Sequence, residues 1–296
     1  MAIAVRSYTS AQRADDTLDL HAQERPFGRP RPVDVRRRLL AARVWRRWAS
    51  PFAILACWQL ASSLGIVSAQ KVPSPATVWT TAVHLVTTDS AAYGTLQSGM
   101  AASLERMAIG FSLGAVAALL LAMVAGLSRV GESVVDPPMQ MLRTLPLFGL
   151  VPVFIVWFGI GQLPKVVLIA LAASIPLYLN TFSGIRSLDV KLAELGQVLQ
   201  LRPLERLRYI VFPGALPQAL VGLRQSLGVA WLALVVAEQL NVSNGLGFMI
   251  NQATQFLQND VIFVALAVYT ILGLLTDALV RLLERRALSW RRTLLG

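Results

Sequence analysis

Long apolar runs alternate along this chain with short polar breaks, and the runs lack the two-residue alternation of membrane-barrel strands. Their lengths approach the roughly 20 residues a helix needs to cross about 30 Å of hydrocarbon. The pattern predicts about six spans. The first is 51–67, with Trp48 and Trp58 near its ends as interface anchors. The second, 108–127, carries no charge, and Gly110, Gly114, Ala118 and Ala122 form a small-residue stripe suited to close helix packing. A polar connection at 128–143 leads to the third span, about 145–160. Pro146 and Pro152 inside it predict a kinked or partly unwound helix, whose freed carbonyls need neighbouring protein or a water-lined cavity. After an external turn at 159–164 come the fourth span, 166–182, interrupted by Pro176, the fifth at about 219–236, and the sixth at 261–283. A more polar helix around 77–85 is expected at the outer surface.

The break at 189–217 is the exception to these short connections. Leu192, Leu195, Val198 and Leu199 fall on one face of a 3.6-residue period, with Lys191, Glu194 and Gln197 opposite. Arg202-Pro203 ends that helix, because a residue before proline avoids the helical region. A second short helix is expected from Pro203, with Leu204, Leu207, Ile210 and Val211 on its apolar face, stopping before Pro213-Gly214. Two short amphipathic helices between spans suggest a docking surface for a partner protein.

Composition agrees with an all-α polytopic membrane protein: of 296 residues, 55% are hydrophobic and 15% charged, with a mean hydropathy of +0.58. A net charge of +11 raises nucleic acid as a partner, but the cations flank apolar segments, as selection of topology by charge produces. Eleven of the 27 Lys and Arg precede Pro51. With both termini inside, only Lys71, Arg106 and Lys165 fall outside, and 189–217 is cytoplasmic. No nucleic-acid partner is expected. Residues 1–50 form a basic cytoplasmic extension, partly disordered, and 51–296 the membrane domain. Segment 238–260, without Lys or Arg, is external.

Chemistry-bearing residues are few. Cys57 is alone, and with His21 and His84 it makes no metal cluster. Gly110-Phe111-Ser112-Leu113-Gly114 matches G-x-S-x-G, but a nucleophile elbow needs a strand-to-helix turn and Ser112 lies in mid-span. No catalytic residue is assigned; an intramembrane serine hydrolase using Ser112 and a secondary transporter or channel are the rival classes. Lys71, Lys165 and Lys191 are followed by Val, Val and Leu, so no phosphate-binding loop is present and ATP hydrolysis would fall to another chain. For a translocation pathway the candidates are Arg143, Pro146, Tyr178, Asn180 and Glu238. Arg143, at the cytoplasmic mouth of the third span, reads as an attractor for a departing anion or as a topology anchor. Tyr178 and Asn180 read as cavity lining or as helix-to-helix hydrogen bonds, and Glu238 as a path-lining group or the external end of the fifth span.

The order Glu194-Leu195-Gly196, Gln200, Ile210, Phe212-Pro213 resembles the EAA loop of ABC-importer permeases. Leu195 and Gly196 replace the alanines and Phe212 the leucine, and Gln200 stands where the family has a glycine. That glycine permits a bend at positive φ, where a side chain costs roughly 1 kcal/mol or more, so Pro203 is expected to set the bend instead. Further matches are Lys71-Val72-Pro73-Ser74-Pro75, Ser103-Leu104-Glu105-Arg106, Trp157-Phe158-Gly159-Ile160-Gly161, Pro213-Gly214-Ala215-Leu216-Pro217, Ala237-Glu238, Gly245-Leu246-Gly247 and Glu284-Arg285. Together, over Trp48 to Trp290, they resemble the nitrate, taurine and aliphatic-sulfonate branch, the sulfonate permeases most closely.

The resemblance implies a type I, MetI-like permease in the bacterial inner membrane. It implies a homodimer among lipids, an ABC ATPase that binds ATP and Mg, and a periplasmic or lipoprotein binding protein that delivers an anion: an aliphatic sulfonate, with taurine or nitrate as alternatives. Lys191, Glu194, Leu195, Gly196, Gln197, Val198, Leu199, Gln200 and Arg202 would then form the coupling helices that dock the ATPase. Glu194 would be the charged anchor, and Leu195, Val198 and Leu199 would fill its groove.

Overall fold

The computed structural model describes residues 49–68, 70–90, 92–239 and 243–289, apart from the side chains of 190 and 193. The N-terminal extension, but for its last two residues, and the basic tail lie outside them. The chain falls into two units, 1–57 and 58–296. Helix α1 covers 49–63. The second unit holds α2 (Pro75–Thr87), α3 (Leu96–Leu127), α4 (Arg129–Thr144), a 3-10 turn (Leu147–Leu150), α5 (Val151–Phe158) and α6 (Leu163–Arg186). It continues with α7 (Val190–Val198), α8 (Pro203–Arg206), a π turn (Leu207–Val211), α9 (Phe212–Glu238), α10 (Leu246–Gln255) and α11 (Asn259–Ala287). Among the described residues there is no strand.

Four helical runs are long and apolar enough to cross a membrane: α3, α6, Pro203–Glu238 and α11. A fifth crossing is possible if α4 and Leu147–Phe158 act together, bent by 92°. About six spans were expected; the described residues hold four or five.

Helix α6 lies between α3 and α9 and packs along both. The small-residue stripe makes the first contact possible. Gly110, Gly114, Ala118 and Ala122 are buried, and a Cβ on Gly114 would come within 2.2 Å of the Ala170 carbonyl oxygen. Without side chains along this line the two backbones approach closely, which is how helices associate where lipid offers no hydrophobic drive. On the other face of α3, Leu113, Leu120 and Val124 are exposed, as a lipid-facing surface requires. Ser112 is exposed too, within unbroken helix, so the G-x-S-x-G match is no nucleophile elbow.

The chain departs from expectation in three places. Segment 128–143, read as a polar connection, is helix α4, capped by Ser128, whose Oγ accepts from the Gly131 N–H at 3.2 Å. The bend predicted by Pro146 is present, but it separates α4 from the following turn: Leu145, held out of the helical region by the proline, has ψ 139°. The second helix of 189–217 does not stop before Pro213-Gly214. It runs on into α9 through the π turn, where the Phe212 N–H donates to the Leu207 carbonyl five residues back. Pro213 sits at the start of α9, where its missing N–H is tolerated.

Candidate functional site

The exposed element at 189–211 is built by local rules. Asp189 caps α7, its Oδ1 accepting from the Lys191 N–H at 2.9 Å. At the other end the Gln200 N–H donates to the Gln197 carbonyl at 2.9 Å and the Leu201 N–H to the Gly196 carbonyl at 3.1 Å. This pair of bonds is a Schellman turn, and it requires a left-handed residue at Gln200, whose φ is 51°. Gln200 itself therefore makes the bend, contrary to the expectation that Pro203 would replace it. Pro203 opens α8, where the Glu205 carboxylate accepts from the Arg202 N–H at 2.7 Å. The Arg206 Nε donates to the Leu201 carbonyl at 3.1 Å, tying the second helix to the turn. Gly196 is buried beneath Ile210, whose Cδ1 would lie 2.9 Å from a Cβ there.

Side chains from both faces of α7 are exposed. Leu195, Val198 and Leu199 are 50%, 79% and 59% exposed, and Lys191, Glu194, Gln197, Gln200 and Arg202 are exposed around them. Three large apolar side chains held out on a rigid short helix are costly in water, and a protein partner would remove the cost.

A second open feature lies between α4, α6 and α9. Arg143, Asn180, Ser183, Gln218 and Gln225 share a cleft of about 440 Å³ with apolar residues of α6, α9 and the 3-10 turn. Asn180 is its centre: its Nδ2 donates to the Gln225 Oε1 at 2.9 Å and to the Pro176 carbonyl at 2.8 Å, while its Oδ1 accepts from the Gln218 Nε2 at 3.1 Å. Of the five pathway candidates, the structure brings only Arg143 and Asn180 together. Arg143 lies in the last turn of α4, ahead of the bend, and lines this cleft. Pro146 is exposed at the bend, outside the cleft lining. Tyr178 is buried, its hydroxyl donating to Asp136 Oδ1 at 3.2 Å.

Glu238 lies elsewhere, 1% exposed in a closed network. Its Oε1 pairs with the Arg106 guanidinium. Its Oε2 accepts from the Ser103 Oγ at 2.7 Å, the Tyr269 hydroxyl at 2.7 Å and the Gly247 N–H at 3.0 Å. Ser103 also accepts from the Leu246 N–H at 2.9 Å. The N-terminus of α10 thus rests on a carboxylate and a hydroxyl from two other helices. Arg106, 4% exposed, further donates to the side chains of Gln162 and Asn244 and, at 3.0 Å, to the Asn244 carbonyl. Gly245, at φ 119°, and Gly247 make this approach possible: a Cβ on Gly247 would lie 2.4 Å from that of Glu238. Lys165, also buried, lies within electrostatic reach of Arg106 and Glu238. The pathway reading of Glu238 is hard to hold for a carboxylate so enclosed.

Sequence reasoning missed this network, although it had singled out Ser103–Arg106, Ala237-Glu238 and Gly245–Gly247 as separate motifs. The available signal was that a cation and a carboxylate fell on the same side in the charge count, each beside an apolar run.

The family described as "Binding-protein-dependent transport system inner membrane component" matches residues 110–289. A Bacillus subtilis (strain 168) protein named as an aliphatic sulfonates transport permease, SsuC, is 43% identical over 246 residues, 83% of this chain and 87% of the relative. The Escherichia coli (strain K12) protein of the same name is 42% identical over 243 residues, 82% and 90% of the two chains. The taurine transport system permease protein TauC of that strain is 31% identical over 237 residues, 80% and 86%. Among solved structures, an amino acid ABC transporter with histidines shares the fold with a TM-score of 0.54 at 19% identity, over 64% of this chain and 92% of that one.

Proposed function

Because the chain belongs to the family of binding-protein-dependent transport system inner membrane components, we propose that it forms, as a homodimer, the translocation path of an ABC importer for aliphatic sulfonates. Family membership makes it a multi-pass inner-membrane transport subunit rather than an enzyme, working with an ATPase and a substrate-binding protein. The substrate class rests on the two relatives above 40% identity that are named for sulfonates. Taurine and nitrate are the alternatives, each carried by the name of a more distant relative.

The single observation behind the coupling mechanism is the exposed ridge Leu195, Val198, Leu199 beside Glu194 on α7. In this reading the ridge enters a groove of the ATPase and Glu194 meets a cation at its rim. ATP and its Mg²⁺ are held by that partner. Its closure on nucleotide pushes α7, and the push reaches the spans because α8, the π turn and α9 form one continuous helical run. A partner can shift the permease between two states only by binding them unequally, and a rigid helix end held by a Schellman turn transmits that difference. The charge distribution supports cytoplasmic termini and a cytoplasmic α7, and the exposed apolar faces of α3 and α11 are the surface for lipid.

Glu194→Lys combined with Leu195→Asp is predicted to lower ATPase recovery in a pull-down by roughly tenfold or more, since apolar anchors in a groove dominate such contacts. The membrane helices should keep their thermal stability. Undiminished recovery would overturn the coupling role. Substrate class is read separately, by ATP hydrolysis of the assembled importer with a panel of ethanesulfonate, taurine and nitrate.

A further inference from the structure

The cleft centred on Asn180 has a composition that selects a particular ligand chemistry. Its polar lining consists of one guanidinium, three amides and one hydroxyl, and no carboxylate. Among the described residues no carboxylate lies within ion-pair distance of Arg143. Arg143, Ser183, Gln218 and Gln225 are exposed, and Asn180 is half-buried. Asn180 and Ser183 belong to α6, past Pro176, and Gln218 and Gln225 to the run Pro203–Glu238, both runs long and apolar enough to span, while Arg143 is in the last turn of α4. Polar side chains in such runs face protein, water or a ligand rather than hydrocarbon.

The hydrogen-bond accounting points the same way. The chain from Gln218 through Asn180 to Gln225 uses the acceptor oxygens of Asn180 and Gln225 internally. Left over in the cleft lining are the second N–H of Gln218, the N–H groups of Gln225, the Ser183 hydroxyl and the five N–H groups of Arg143, with the Gln218 Oε1 as the one free amide acceptor. Leu147, Ile175, Leu179 and Val229 line the same cleft. The lining thus combines donors and a positive charge with hydrocarbon surface. A sulfonate headgroup has three equivalent acceptor oxygens and one delocalised charge, which a planar guanidinium and amide donors match. An alkyl chain would lie along the hydrocarbon surface.

We propose that Arg143, Asn180, Gln218 and Gln225 form a sulfonate subsite within the permease, with Leu147, Ile175, Leu179 and Val229 as the seat of the alkyl chain. The subsite rests on the importer reading above and adds that this chain selects its substrate rather than leaving selection to the binding protein alone.

The test uses the importer assembled with its ATPase and binding protein in proteoliposomes. In a Cys57→Ala background, which removes the chain's one cysteine, Ser183→Cys places a thiol at the cleft. The anionic sulfonatoethyl methanethiosulfonate should label it roughly tenfold faster than the cationic trimethylammonioethyl reagent, and ethanesulfonate should slow the labelling. Equal or faster labelling by the cation, or no labelling by either, overturns the proposal. Arg143→Gln should reduce ethanesulfonate uptake roughly tenfold or more, the scale for a lost charged hydrogen-bond donor, with Arg143→Lys retaining part of it. Leu179→Trp should reduce octanesulfonate uptake more than ethanesulfonate uptake. An assembled Arg143→Gln importer with unmodified uptake removes the subsite and leaves the importer reading intact. If that variant fails to assemble, the Ser183→Cys labelling decides. An unmodified importer that moves nitrate but no sulfonate removes the substrate assignment and the subsite together.

Discussion

Arg106 and Arg143 are both guanidinium groups set into an apolar helical bundle, and their surroundings are opposite. Arg106 is 4% exposed and meets a carboxylate, two amide side chains and a backbone carbonyl. Arg143 is exposed in a cleft whose lining contains no carboxylate. A charge sealed in low dielectric is tolerable only when paired and fully hydrogen-bonded, and those bonds then commit it to holding helices together. A charge facing an open cleft keeps its donors for something that arrives. Burial and partner count, rather than residue type, separate a structural arginine from a binding one.

Glu238→Ala should strike the sealed region hardest. It leaves Arg106 buried without its counter-charge and removes the acceptor for Ser103, Tyr269 and the Gly247 N–H. Breaking a buried pair from one side costs about 3–5 kcal/mol, so the purified protein should melt far earlier in detergent, with α10 released first. Arg106→Leu together with Glu238→Leu should cost less than the two single losses added, because the second change removes the orphan left by the first. A Glu238→Ala protein as stable as the unmodified chain would erase the contrast with Arg143.

Gly247→Ala probes the same region through space instead of charge. A Cβ at 2.4 Å from that of Glu238 forces either α10 or α9 to move, an overpacking worth about 1–3 kcal/mol. Gly228→Ala is the matched control, since a Cβ there meets nothing within 4 Å. In a helix it should be neutral or stabilise by up to about 1 kcal/mol. Equal melting temperatures for the two variants would mean that α10 is not clamped against Glu238.

How far these regions were legible in the sequence follows from the range of the interactions that build them. The spans and the Gly110–Ala122 stripe were readable because lipid burial leaves a compositional trace and helix packing leaves a four-residue one. Helix α7 was readable for the same reason, from its periodicity and from Asp189. Features set by a hydrogen bond or a distant partner were not. Gln200 takes a left-handed conformation that its residue type disfavours, and the paired bonds of the Schellman turn enforce it. Pro213 read as a stop because proline breaks an α-helix, yet a π turn before it absorbs the difference. Polar content disguised α4 as a loop. Arg106 and Glu238 are 132 residues apart, and no local period reports such a contact. The cleft was half legible: Arg143 and Asn180 could be named, but Gln218 and Gln225 join them only through the packing of α6 on α9.

Asn180→Ala carries the smallest expected effect and sharpens the contrast most directly, because it removes three hydrogen bonds, nearly as many as Glu238 makes. The bonds to Gln218 and Gln225 face an open cleft, where water replaces what the amide supplied. The bond to the Pro176 carbonyl lies within α6 and adds to what the helical N–H four residues on supplies there, since the carbonyl that proline deprives of a donor is that of Ala172. One such neutral bond contributes about 0.5–1.5 kcal/mol net. The variant should therefore melt within a few degrees of the unmodified protein, while Glu238→Ala does not. A loss from Asn180→Ala as large as that from Glu238→Ala would show the amide chain to be a clamp between α6 and α9. The cleft would then belong with the sealed region rather than opposite it.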